Sequence, residues 1–146
     1  MTAKEYLLDI RKKKHAMQSL MYRCAELRDQ AAGIGAITYD RDRVQTSPED
    51  RMGKVMAELV DLQDRYGNAI ALYHEAVIKR TEQIERLDNP DHVEILRLRY
   101  IEEDAHGNQM SLEEIAYKMH RSFFRIAHLH GEALQAFDRK YKVSKQ

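Results

Sequence analysis

One cysteine, two prolines and six glycines stand in a chain of 146 residues, and each scarcity removes a class of protein. With Cys24 alone, no intrachain disulfide can form, so a disulfide framework is excluded and nothing points to an oxidising compartment. So little proline and glycine argues against a strand-and-turn protein and rules out a collagen-like one. The apolar runs are short and the N-terminus lacks a hydrophobic signal core, so neither a membrane partner nor secretion is expected; the expected location is the cytoplasm. Nor does charge of one sign dominate: 24 Lys and Arg balance 24 Asp and Glu, which taken alone argues against a polyanionic partner.

What is present favours helices. A third of the residues are charged and 43% are hydrophobic, a composition suited to long helices with solvated faces around a modest core, hence an all-α fold. The balanced charge is unevenly placed. From Lys118 to Gln146, Lys118, Arg121, Arg125, Arg139, Lys140, Lys142 and Lys145 face only Glu132 and Asp138, so this end is basic.

The first element is expected from about Thr2 to Ala32. Ile10, Met17, Cys24 and Ala31 recur seven apart, with Tyr6, Leu20 and Leu27 on the adjacent seam, which is heptad spacing. Lys13 and Lys14 interrupt the seam within a run from Arg11 to Lys14 that reads as a solvated face rather than a phosphate patch. A loop follows from about Gly33 to Thr46. Ser47 then suits an N-cap, Pro48 the first helical position, and Glu49 and Asp50 the positive end of the helix dipole. This second helix is expected to reach about Leu87, with Met52, Leu59, Tyr66 and Tyr73 at sevens, Val55, Leu62, Ala69 and Ala76 on the next row, and Met56, Ile70, Val77 and Ile84 beside it. Two such helices predict an antiparallel, coiled-coil-like hairpin over residues 1–89, used for oligomerisation or partner binding. The same stripe would also serve pairing between chains, giving a homo-oligomer.

Asp88, Asn89 and Pro90 end that helix and mark a domain boundary. Beyond it, Val93, Leu96 and Tyr100, with Ile95 and Leu98, predict a short helix, and Asp104 to Met110 a turn. Ser111 to Glu114 is a capping box opening a helix to Met119; His120 to Ser122 is a tight turn; Phe123 to about Tyr141 is a second, longer helix capped by Ser122. Inward stripes run through Ile115, Ala116 and Met119, and through Ile126, Leu129, Ala133, Leu134 and Phe137, with Phe123 nearer the core stripe. Residues 90–146 thus read as a helix-turn-helix domain.

Such a module suits double-stranded DNA because the major groove admits a helix whose first turns project side chains onto base edges. Ser122, Phe124, Arg125 and His128 fall on the face away from the core. Arg125 and His128 would donate to bases, while Lys118, Arg121, Arg139, Lys140 and Lys142 would meet phosphates.

His92 to Glu102, then Ser111-Leu-Glu-Glu-Ile-Ala116 and Leu129-His-Gly-Glu-Ala-Leu134, resemble the promoter-reading C-terminal domain of bacterial sigma factors over about fifty residues. Nearly the whole chain resembles the ArpU-type regulators, small phage and prophage proteins of Gram-positive bacteria. Its marks are Met1-Thr-Ala-Lys-Glu-Tyr-Leu-Leu8, Asp42-Arg-Val-Gln-Thr-Ser-Pro48, Leu87-Asp-Asn-Pro-Asp-His92 and the same Leu129 to Leu134 ending. The resemblance implies a sigma-like transcriptional regulator, with host RNA polymerase as a further partner. The chain departs from the usual pattern in two ways: His120 stands where the turn normally has glycine, and Phe123 and Phe124 stand where polar readers are usual.

Other constellations carry less. His92, His106, His120, His128 and His130 cluster in sequence, but His128 and His130 diverge on a helix and no cysteine joins them, so no metal is expected. His74-Glu75 begins like a zinc-protease motif, yet Ile78 stands where the second histidine belongs. Without a phosphate-cradling glycine loop or a nucleophile triad, no cofactor and no enzymatic activity are expected. The rival readings are a small terminase subunit or other phage DNA-packaging protein, and an adaptor that contacts RNA polymerase without binding DNA.

Overall fold

A computed structural model describes the backbone of residues 1–36 and 48–146 and the side chains of residues 1–34 and 49–146. Among the described residues the fold is all-α: α1 (Ala3–Ala36), α2 (Pro48–Glu85), α3 (Pro90–Leu96), α4 (Leu112–Lys118) and α5 (Phe123–Tyr141). A π-helical turn, Arg97–Ile101, continues α3, and a 3₁₀ turn, Val143–Lys145, follows α5. None of these helices is long and apolar enough to cross a membrane.

The first helix starts on a reciprocal cap visible in its sequence. Thr2 N–H donates to the Glu5 carboxylate at 2.8 Å, and Glu5 N–H donates to Thr2 Oγ1 at 3.2 Å, satisfying two otherwise orphaned donors. The helix continues through Gly33 to Ala36, four residues beyond the expected Ala32; a glycine weakens a helix by about 1 kcal/mol without ending it. The Asp40 to Arg43 string and the Ser47 cap lie outside the described residues, while Pro48 opens α2 as expected.

The chain divides into two compact units, one of residues 13–73 and one joining residues 1–12 to 74–146. In the first, Cys24 and Leu27 of α1 are buried with Leu59 and Leu62 of α2, flanked by half-buried Leu20, Val55 and Tyr66. These are seam positions of the heptads. Met56, from the third row, is exposed, because a helix facing a single partner buries only a narrow stripe.

In the second unit, residues at the two ends of the long helices also pair antiparallel. Tyr6 Oη donates to Gln83 Oε1 at 2.9 Å, and Arg80 reaches the Asp9 carboxylate at 2.9 Å. Arg80 is 7% exposed; its Nε donates to the Tyr6 carbonyl at 2.9 Å, and its guanidinium lies 4.2 Å from the Tyr6 ring centroid. Desolvating that charge is tolerated because it is matched by a carboxylate, a carbonyl and a ring face. Beneath it, Ala3, Leu7, Ile84 and Leu87 share one buried cluster with Ile95, Leu96, Tyr100, Ile115, Ile126, Leu129, Ala133, Phe137 and Val143. The helix break at Pro90 therefore falls inside a compact unit, and the core of the C-terminal helices takes in both ends of the long pair.

Candidate nucleic-acid interface

Three local devices set where α4 starts, where it ends and where α5 starts. Ser111 Oγ accepts from Glu114 N–H at 3.1 Å and Ser122 Oγ from Arg125 N–H at 3.2 Å, so each helix starts on a serine cap. Between them α4 ends by wrapping its own backbone: His120 N–H donates to the Tyr117 carbonyl and Arg121 N–H to the Ala116 carbonyl, at 3.3 and 3.0 Å. This closure requires a left-handed residue, and His120 supplies it with φ of 54°. A side chain thus sits where glycine would fit without strain.

The inward stripes form as the spacing implies. Ile115, Ala116, Ile126, Leu129, Ala133 and Phe137 are buried, with Met119 and Leu134 half-buried at the edge. Behind them, Tyr100 Oη and His130 Nε2 share a hydrogen bond at 2.9 Å. Burial holds this imidazole neutral, lowering its pKa to about 4, and pushes the Tyr100 phenol up to about 12. On the approach to α4, the Asp104 carboxylate accepts from the backbone N–H of Asn108 and His106 and is held below the usual carboxylate range by those bonds.

The opposite face opens at the N-terminal end of α5. Phe124 is 84% exposed and Phe123 41%, so Phe123 lies outside the core rather than near its stripe. The two rings meet edge to face, centroids 5.9 Å apart at 71°. Arg125 and His128 are exposed on the same helix, and Lys118 is exposed in the last turn of α4. Two of the expected contacts are already engaged: Arg121 pairs with Asp91 at 3.0 Å, and His128 Nε2 lies 2.9 Å from the Glu132 carboxylate.

The remaining cations gather elsewhere. Arg139 and Lys140 stand some fifteen residues beyond Arg125, or about 22 Å along the helix. With Leu87, Asp88, Asn89 and His92 they line an open cleft of about 530 Å³. Lys140 Nζ donates to the Arg86 carbonyl and lies 3.8 Å from Asp88. Lys142 takes a left-handed conformation, φ 51°, to cap the end of α5. The nine expected contacts therefore separate into a group around the start of α5 (Lys118, Arg121, Ser122, Phe124, Arg125, His128) and a group at its end (Arg139, Lys140, Lys142).

No family model, curated protein or solved structure matches this chain.

Three neighbours of the site were not singled out by the sequence. Glu132 was legible, four residues after His128 and so on the same helical face. Tyr117 of α4 is 82% exposed, outside the inward positions of its helix. Asp91 was not legible, because the fold alone brings it to Arg121 across thirty residues.

Proposed function

We propose that this chain is a sigma-like transcriptional regulator that binds promoter double-stranded DNA by docking the first two turns of α5 in the major groove. The observation that carries this reading is the exposed cluster of Phe124, Arg125 and His128 at the start of a capped helix, flanked by Lys118 and Arg121. Such a helix end presents side chains to base edges, while its backbone dipole and flanking cations favour phosphates. The role is binding, without catalysis. Arg139, Lys140 and Lys142 would contact phosphates separate from those met by Lys118 and Arg121.

The test is a titration of the intact protein against promoter and random duplexes over a range of salt. A regulator of this kind prefers some sequence and loses affinity as salt rises, with a log–log slope near −0.9 per phosphate neutralised. Arg125→Ala should cost about 1–3 kcal/mol and relax base preference. Equal loss on every sequence would reduce Arg125 to a phosphate contact. A second reading, an adaptor that docks on RNA polymerase, is favoured by the exposure of Phe124 and Tyr117. It predicts no duplex affinity even at low salt.

A further inference from the structure

We infer that Phe124 reads thymine, its ring seated against the 5-methyl groups that T·A pairs present in the major groove. The inference rests on the DNA-binding reading above and gives it a base preference. Phe124 is the most exposed large apolar side chain among the described residues, and it occupies the second position of α5, directly after the Ser122 cap and Phe123. A phenyl ring neither donates nor accepts ordinary hydrogen bonds, so it cannot read the N7, O6, N4 or N6 groups that distinguish the other base edges. The thymine methyl is the one apolar group on the major-groove edge, and apolar contact is how proteins recognise it.

Phe124 is also braced. Phe123, itself exposed, stands edge-on to it with ring centroids 5.9 Å apart, which restricts the ring's swing and lowers the entropy lost when it seats. The charge around it favours DNA over an apolar protein groove. Arg125 follows directly, Lys118 stands in the last turn of α4, and Asp91 is neutralised by its pairing with Arg121. A phosphate-lined groove therefore meets a cationic rim around an apolar tip.

The experiment uses the full chain. A preferred duplex is selected from a random pool, then synthesised with thymine or with deoxyuridine, which lacks only the methyl group. Both are titrated against the natural protein, Phe124→Ala and Phe124→Leu. The expected result is about fourfold weaker binding for each contacted methyl removed. Phe124→Ala should bind both duplexes alike, at the level of the natural protein on deoxyuridine, and Phe124→Leu should keep part of the difference. Thermal melts should show both variants folded, since the ring is exposed.

A selected site without T·A pairs, equal affinity of the natural protein for both duplexes, or undiminished discrimination by Phe124→Ala would each overturn the inference while leaving DNA binding intact. Loss of RNA polymerase retention in Phe124→Ala with unchanged duplex affinity would assign the ring to a protein partner and overturn it too. Absence of affinity for any duplex at low salt would overturn the DNA reading and this inference together.

Discussion

Residues 1–12 and 74–146 are held by a cluster of sixteen buried apolar side chains, whereas among the described residues of 13–73 the corresponding cluster has four, Cys24, Leu27, Leu59 and Leu62. Met56 and Ile84 stand on the same heptad row, yet Met56 is exposed and Ile84 fully buried, so regular spacing does not set how much is buried. A helix pair covers one seam and leaves Met21, Tyr22, Met56, Val60 and Leu72 exposed. Where α3 and α5 add further layers, whole side chains disappear. Free energy of local opening follows such burial, so residues 13–73 should exchange amide hydrogens faster than the other unit.

The largest expected effect tests that contrast with one chemical change in two places. Leu129→Ala should destabilise by about 4 kcal/mol and Leu62→Ala by about 2 kcal/mol in urea unfolding. Both leucines are buried, but the cavity at Leu62 lies in a two-helix seam that can collapse or admit water. Equal costs would break the comparison.

Acid offers a second test, confined to the more buried unit. The folded-state pKa of His130, about 4, lies below the ordinary 6.5, so the unfolded chain takes up the proton more readily. Stability from this group is full above about pH 6.5 and is lost as pH falls toward 4. The ring retains some solvent contact, and after allowance for screening the loss is about 1–2 kcal/mol. Unfolding midpoints at pH 7 and pH 5 would measure it, and an NMR titration of His130 near pH 6.5 would sink it.

The smallest effect lies in the turn before α5. His120→Gly relieves a left-handed residue that has a side chain and should stabilise by about 0.5–1 kcal/mol in thermal melts. A neutral or destabilising result would show that the imidazole compensates its own strain.

The helices were legible in sequence because their signals are local: the serine caps at 111 and 122, Pro48, and the stripe from Ile126 to Phe137. The left-handed residue at His120 was signalled only by the glycine that such modules usually carry at that turn. Other features depend on distant partners. Arg80 reads as one more cation on an exposed helix face until Tyr6 and Asp9 surround it, and Ala3 and Leu7 read as ordinary helix start until Ile84 and Leu87 meet them. The same limit applies to the candidate site. Its exposed tip could be placed by helical phase, but the pairing of Arg121 with Asp91 and of Lys140 with the α2–α3 junction could not.

Ala3 and Val143 lie in one buried cluster, and this fixes an order of events during synthesis. The turn around Ala3 leaves the ribosome ahead of everything it packs against, and the surface it covers is incomplete until the segment around Val143 has followed, several seconds to about half a minute later at ordinary elongation rates. The buried seam of Cys24, Leu27, Leu59 and Leu62 is complete well before then. The less buried region is therefore the first able to assemble, and the more buried one must close around a segment that has been waiting in solvent.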